Sequence, residues 1–322
     1  QMKKFLNENI LNENKSYDCI NLTNDSYTIN NSNNTFCVFK SVNDLYFLIY
    51  TNHINSIISF DLNANKKVNK IKNAHESDIT YYRHYVDKNI KRDLIISISS
   101  YDNNIRLWNI NNWECLLNLK RIYQKGALIS ACFLNHLNEN YIISSNLSFM
   151  REAECINIID FNGKIEKKLD DNDYGTIFID TYYDIQTDNN FIITTNFGYS
   201  KSYKYNEGKL YQKYIDNDND KDLEFRFSIL INKNKEVVEM LESDHSGYIR
   251  IWDFHLGLLL KKIRILDNNI NCTYSYDNEY LFMGCDDNGI KIFNLKSEKI
   301  VKSLVNLIPY SCSLHIEHNL FL

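Results

Sequence analysis

Residues 101–109 read YDNNIRLWN, and residues 246–253 read SGYIRIWD. Each phrase is a polar turn, then alternating Ile, Arg and Leu or Ile, then Trp with Asn or Asp. Side chains alternate across the faces of a strand, so Ile105 and Leu107 share one face and Arg106 and Trp108 the other. Both faces carry apolar bulk, which places such a strand inside a stack of sheets rather than at a solvent surface. One phrase used twice marks a repeat, and a repeat decides the fold before any catalytic motif does.

Working outward, short alternating runs separated by Asn, Asp, Ser and Gly fill the chain from about residue 35 to its end, which is an all-β pattern. Aligned on the Trp position, the anchors are Phe60, Trp108, Ile159, Tyr205, Trp252 and Phe293, at steps of 48, 51, 46, 47 and 41 residues. An acid or amide follows each: Asp61, Asn109, Asp160, Asn206, Asp253 and Asn294. That spacing is close to the roughly 40–45 residues of a four-stranded propeller blade. Six blades are drawn over 35–73, 74–121, 125–170, 174–216, 222–266 and 269–304. Strand-like pieces remain at 17–22 and 26–30 and at 310–315 and 318–322. The expectation is therefore a seven-bladed β-propeller of four-stranded antiparallel blades, its ring closed by strands from both termini. The domain spans 17–322, after an N-terminal arm at 1–16. A fragment whose last blade continues past Leu322 is the alternative.

The chain resembles the WD-repeat propeller family over nearly its whole length, most closely in blade two. Ala74-His75 stands for the family's Gly-His pair, Asp102 for its turn aspartate and Trp108 for its anchor. The resemblance implies a buried hydrogen-bond network of His75, Asp102, Trp108 and a strand Ser or Thr. The last position falls on Ile98, with Ser97 or Ser99 as substitutes. Blade five keeps Trp252 and Asp253, and blade six keeps Asp287 with Phe293 for the Trp. These residues are read as structural.

Composition bounds the function. The net charge of −5 and the lack of a clustered basic face give no support to nucleic-acid binding. No apolar run approaches the roughly 20 residues that cross a bilayer, and no charged-then-apolar leader stands at the start. The eight cysteines are scattered with no C-x-x-C pair, so a zinc site is not expected. These features point to the cytoplasm or nucleus and to a monomer without cofactor or metal. Asn is abundant while Gly numbers 9, and Asn is read as taking glycine's place in turns.

No phosphate loop, nucleophile elbow or metal-protease helix is present. Asp216, Asp218, Asp220 and Asp222 fail as a calcium loop, since Lys221 replaces the obligatory Gly and Phe227 the bidentate Glu. No acid, base and nucleophile set can be assembled, so the chain is read as a non-catalytic adaptor binding a peptide or protein partner. The partner-binding candidates lie on the face of the strand b–c and d–a turns: Phe149, Met150 and Arg151, with Tyr101, Tyr123, Tyr199 and His245. Two alternatives are a phosphoinositide-binding propeller resting on Lys261, Lys262 and Arg264, and an enzyme with a site in the central channel. Arg83 is read as reaching that channel or, at least as readily, as forming a structural ion pair.

Overall fold

The computed structural model describes residues 36–305, except 53–54, 149–154, 171–174, 217–224, 232–236, 245, 267–268, 277–278 and 286–288, together with 314–315 and 320–321. Blade one is β1 (Phe36–Lys40), β2 (Tyr46–Asn52), β3 (Ser56–Asp61) and β4 (Lys66–Ile71). Blade two is β5 (Tyr81–Asp87), β6 (Arg92–Ser99), β7 (Asn104–Asn109) and β8 (Glu114–Leu119). Blade three is β9 (Ala127–His136), β10 (Glu139–Leu147), β11 (Ile156–Asp160) and β12 (Ile165–Leu169). Blade four is β13 (Phe178–Asp184), β14 (Asn189–Asn196), β15 (Tyr199–Lys204) and β16 (Lys209–Ile215). Blade five is β17 (Phe225–Ile231), β18 (Val238–Asp244), β19 (Tyr248–Asp253) and β20 (Leu259–Arg264). Blade six is β21 (Ile270–Tyr276), β22 (Tyr280–Cys285), β23 (Gly289–Asn294) and β24 (Lys299–Val305). Each is an antiparallel meander in chain order, and the chain is a β-propeller.

The number of blades differs from the expectation. The described residues form six blades, not seven. The C-terminal pieces are β25 (Leu314–His315) and β26 (Leu320–Phe321), which pair with each other and with no blade. Two paired residues per strand make too short a ladder to supply half a blade, and the ring closure by both termini is withdrawn. The expected arm at 1–16 and strands at 17–22 and 26–30 lie outside the described residues.

The core lies between blades, because inner and middle strands such as β6 bury residues on both faces. In β6, Leu94, Ile96 and Ile98 join Leu128, Phe133 and Ile142 of blade three, while Ile95 turns to Phe39 and Ile49 of blade one. Ile105 and Leu107 share the first core and Trp108 the second, as the alternation of the opening phrase requires. Trp108, Ile159, Tyr205, Trp252 and Phe293 lie in cores shared with the preceding blade.

Every anchor also follows a one-residue slip in its ladder with the outer strand, between Ser59 and Phe60, Leu107 and Trp108, Ile158 and Ile159, Ile251 and Trp252, and Ile292 and Phe293. In blade four the slip precedes Tyr203. Tyr203, not Tyr205, is therefore the anchor there, two residues earlier than the spacing gave. The acid or amide after the anchor closes the next turn: Asp61 accepts from the backbone of Asn63 and Ala64, and Asp253 from His255 and Leu256.

Five residues past the anchor, or four in blade three, the turn to the outer strand has a residue in the left-handed region: Asn65, Trp113, Gly163, Gly208, Gly257 and Glu298. This turn lies against the blade before it. Trp113 packs on the core of Phe39 and Ile57, and Lys167 of β12 donates to Tyr205 O at 2.7 Å. Gln212 of β16 donates to His255 O at 2.8 Å, and Lys261 of β20 pairs with Glu298. Among the described residues, five asparagines and two aspartates are among the twelve non-glycine residues with positive φ, so Asn does take over turn positions there.

Candidate functional site

The b–c turns and the connectors from each outer strand to the next inner strand share one end of the blades, and hydrogen bonds hold them together. Asn103, at φ 52 in the b–c turn of blade two, accepts from Leu128 N at 2.7 Å and donates to Gly126 O at 3.2 Å. Asn146 donates to Lys125 O and Asn196 to Gly175 O, each across to a connector. Tyr101 stands on this end with its side chain 74% exposed.

Beneath Tyr101, Ser97 of β6 joins two buried polar side chains of blade two. Trp108 Nε1 donates to Ser97 Oγ at 2.8 Å, and His75 Nε2 meets the same oxygen at 2.7 Å. The strand residue of the network is therefore Ser97 rather than Ile98. The ladder explains it, since Trp108 faces Ile95 and two steps along that strand Ser97 faces Arg106. Asp102 does not complete the chain: both of its carboxylate oxygens, His75 Nδ1, Arg106 Nε and Ser99 Oγ are buried without a hydrogen-bond partner. Burial pushes the His75 pKa down to about 4, helped by Arg106 and opposed by Asp102.

The same position in the other blades is Tyr50, Ser144, Thr194, Glu242 and Met283. In blade three Tyr123 takes the place of His75, and its hydroxyl donates to Ser144 O at 2.6 Å. Tyr123 is only 1% exposed, so it tethers a connector and is not presented to a partner. In blade five the position holds a carboxylate. Glu242 is fully buried, Oε2 accepts from Trp252 Nε1 at 2.6 Å, and burial raises its pKa to about 7. Ser200, Trp252 and Arg250 pull in the opposite direction. Beside it Arg250 pairs with Asp244 and, at 2.8 Å, with Asp216, which also takes Lys262 at 2.8 Å.

Other sequence-chosen residues fall as follows. Tyr199 opens β15 half-buried, with Lys213 at 4.0 Å and Lys201 at 5.3 Å from its ring centre. Trp252, Asp253 and Phe293 are buried as the repeat requires. Phe149, Met150, Arg151, His245 and Asp287 lie outside the described residues. Lys261 and Lys262 meet Glu298 and Asp216, and Arg264 stands 5.7 Å from the Tyr248 ring centre. Arg83 on the inner strand β5 reaches Asp180 of β13 at 2.5 Å, spanning blade three. Buried Cys132 of β9 lies within the field of that pair, and burial raises its thiol well above the usual range.

Sequence reasoning missed Glu242 and Arg83's partner. The b–c turn of blade five is one residue shorter than that of blade two, which moves Glu242 out of step with Ser97. Nothing in the sequence pairs Arg83 with a residue two blades away.

Among the described residues no group of His, Cys, Asp and Glu is arranged to hold a metal ion, and no helix is long and apolar enough to cross a membrane. A scan of family models and a search of curated proteins each find no match to this chain.

Proposed function

We propose that this chain is a WD-repeat-type propeller that acts as a non-catalytic adaptor, binding a peptide or protein partner on the face of its b–c turns and connectors. The observation that carries the reading is the hydrogen-bonded set of His75, Ser97 and Trp108 beneath an exposed Tyr101. The buried polar residues hold the connectors in place, and the turn above presents a large amphipathic ring of the kind that supplies contact area at low entropy cost. The Arg83–Asp180 pair supports the same reading, because the two charged groups on the inner strands satisfy each other.

Affinity capture from native lysate, read by mass spectrometry, tests it with the full chain, the variant Tyr101→Glu and the double variant Phe149→Asp/Arg151→Glu. At least one variant is expected to lose partners that the wild type retains. If both keep every partner, the loop face is not the binding surface.

A further inference from the structure

Among the described residues, the five most exposed large aliphatic side chains all stand on one end of the blades. Leu137, Ile185, Leu256, Ile90 and Leu258 are 83%, 81%, 63%, 58% and 57% exposed. Ile90, Leu137 and Ile185 lie in the a–b turns that join β5 to β6, β9 to β10 and β13 to β14. Leu256 and Leu258 lie in the c–d turn from β19 to β20. In an antiparallel meander these turns share the end opposite Tyr101. The other exposed aliphatics are Leu45, in the a–b turn of blade one, and residues of outer strands, none above 52%. The turns do not call for apolar residues. Leu137 and Asn138 have φ of 49 and 66, a pair of left-handed positions that favours Asn, Asp or Gly. Leucine at the first of them, almost wholly in water, is unfavourable on both counts unless something covers it.

Polar contacts set these turns in a fixed row. Asn89 Nδ2 donates to Asn138 O at 3.0 Å, tying blade two to blade three. Asn190 Nδ2 donates to His136 Nδ1 at 3.1 Å, tying blade four to blade three. His255 Nε2 stands 3.5 Å from Asp184 Oδ2, which brings the Leu256 turn beside the Ile185 turn. Charge changes sign along the row. The Ile90 turn carries Lys88 and Lys91, both exposed and, among the described residues, without an acidic partner. The Ile185 turn carries exposed Asp188, which accepts from the Tyr183 hydroxyl at 2.6 Å and, among the described residues, meets no cation. Between them, the Leu137 turn holds only Asn138 besides the leucine, and Glu139 at the start of β10 is engaged by the Tyr141 hydroxyl. Nearer the rim, Lys204 pairs with Glu207 within its own turn, and Lys40 does the same with Asp44 in blade one.

We propose that this end binds a second copy of the chain, face to face. A two-fold axis in the plane of contact, along blade three, sets Leu137 against its own mate. The same rotation lays the Ile90 turn of each copy on the Ile185 turn of the other, so Lys88 and Lys91 meet Asp188 of the second copy twice over. It also brings Leu45 of blade one opposite Leu256 of blade five. A bilayer surface is met by cations alone, whereas a sign change across a row of aliphatic tips suits the same face turned over. Sheets stacked roughly 10 Å apart give these five blades an end broad enough for the roughly 800 Å² per partner of a stable interface. The turns are already fixed by their contacts, so little ordering is lost on association. The b–c faces of both copies stay open on opposite sides, in place of the monomer expected from composition.

Sedimentation velocity on the full chain tests the proposal. The wild type is expected to form a reversible dimer, and Leu137→Ser/Ile185→Ser to weaken it at least about tenfold. Both substitutions alter exposed side chains, and an unchanged circular dichroism spectrum establishes that the variant folds. Lys88→Glu/Lys91→Glu should also weaken the dimer, and adding Asp188→Lys should restore it at least in part, which a merely structural role of these residues would not produce. Leu137→Cys should give a disulfide-linked dimer under mild oxidation that the wild type does not give. Tyr101→Glu, on the other end, should leave the dimer intact, so this proposal and the b–c face reading fail separately. A wild type that stays monomeric at every concentration, whether or not it binds phosphatidylserine vesicles, overturns the proposal. So does a dimer indifferent to the Leu137 and Ile185 substitutions, or a lysine variant that Asp188→Lys does not rescue.

Discussion

Trp252 donates its indole N–H to Glu242, at the place where blade two sets Ser97 under Trp108. A hydroxyl and a carboxylate thus serve the same anchor in two blades, but only the carboxylate titrates. Glu242 faces Trp252, Arg250, Asp244, Ser200 and Tyr214, with Asp216 and Lys262 one contact further out. Its pKa is raised from the usual carboxyl value to about 7, so the folded state holds its proton more tightly than the unfolded chain. Stability from this group is full below about pH 4.5 and declines as pH rises to 7, by an amount on the order of 2–3 kcal/mol. Urea midpoints from pH 5 to 8 should show this decline, and Glu242→Gln should remove it.

His75 has the opposite sign. Its pKa is pushed down to about 4, so its contribution is full above about pH 6.5 and is lost as pH falls toward 4. The two groups oppose each other between about pH 4.5 and 6.5. The difference between His75→Gln and wild-type stability should therefore shrink on acidification, while the difference for Glu242→Gln grows on the alkaline side. Parallel curves for both variants would refute the assignment.

Ser97 and Ser99 lie on the same strand, both buried, and differ in what they hold. Ser97→Ala leaves His75 Nε2 and Trp108 Nε1 without their shared oxygen and should cost about 2–4 kcal/mol. Ser99 Oγ has no hydrogen-bond partner, so Ser99→Ala should stay within about 0.5 kcal/mol of wild type or stabilise. Denaturant unfolding of the two variants decides the matter.

Gly126 and Gly208 both have positive φ, yet they should respond differently to alanine. A Cβ on Gly126 would sit 2.3 Å from Leu147 O, a backbone atom that cannot move aside, and Gly126→Ala should cost about 3 kcal/mol or more. At Gly208 the nearest atom is the flexible Lys167 Cδ at 3.4 Å, so the loss should be about 1 kcal/mol, from φ alone. Thermal unfolding of the two variants should rank them in that order.

Arg83 and Asp180 are 34% and 27% exposed, so water screens their attraction. A double-mutant cycle of Arg83→Met and Asp180→Asn should give a coupling of about 1 kcal/mol that falls with added salt. A coupling of zero would mean that the contact contributes nothing to holding blades two and four.

The fold was legible because the Trp anchors, β-branched runs and turn residues all follow one period. The exceptions have physical causes. Tyr203 and Tyr205 are both buried aromatics, and only the slip in the ladder tells which one is the anchor. Tyr123 looked like a surface residue because a connector can turn inward when its hydroxyl has an acceptor such as Ser144 O. The closing blade failed because alternating residues at a chain end establish that a segment can be a strand, not what it pairs with. Tyr101 alone among the described loop-face choices is mostly exposed, and exposure is a property of packing that no short motif encodes.

The left-handed turn of each later blade rests on the outer strand or the core of the blade before it. That contact gives the array a direction. On a chain made from its N-terminus, each new turn would meet an outer strand or core that has already been synthesised. One backbone angle per blade thus sets which neighbour each turn leans on, and truncation from the C-terminal side removes turns without uncovering the strands that earlier turns rest on.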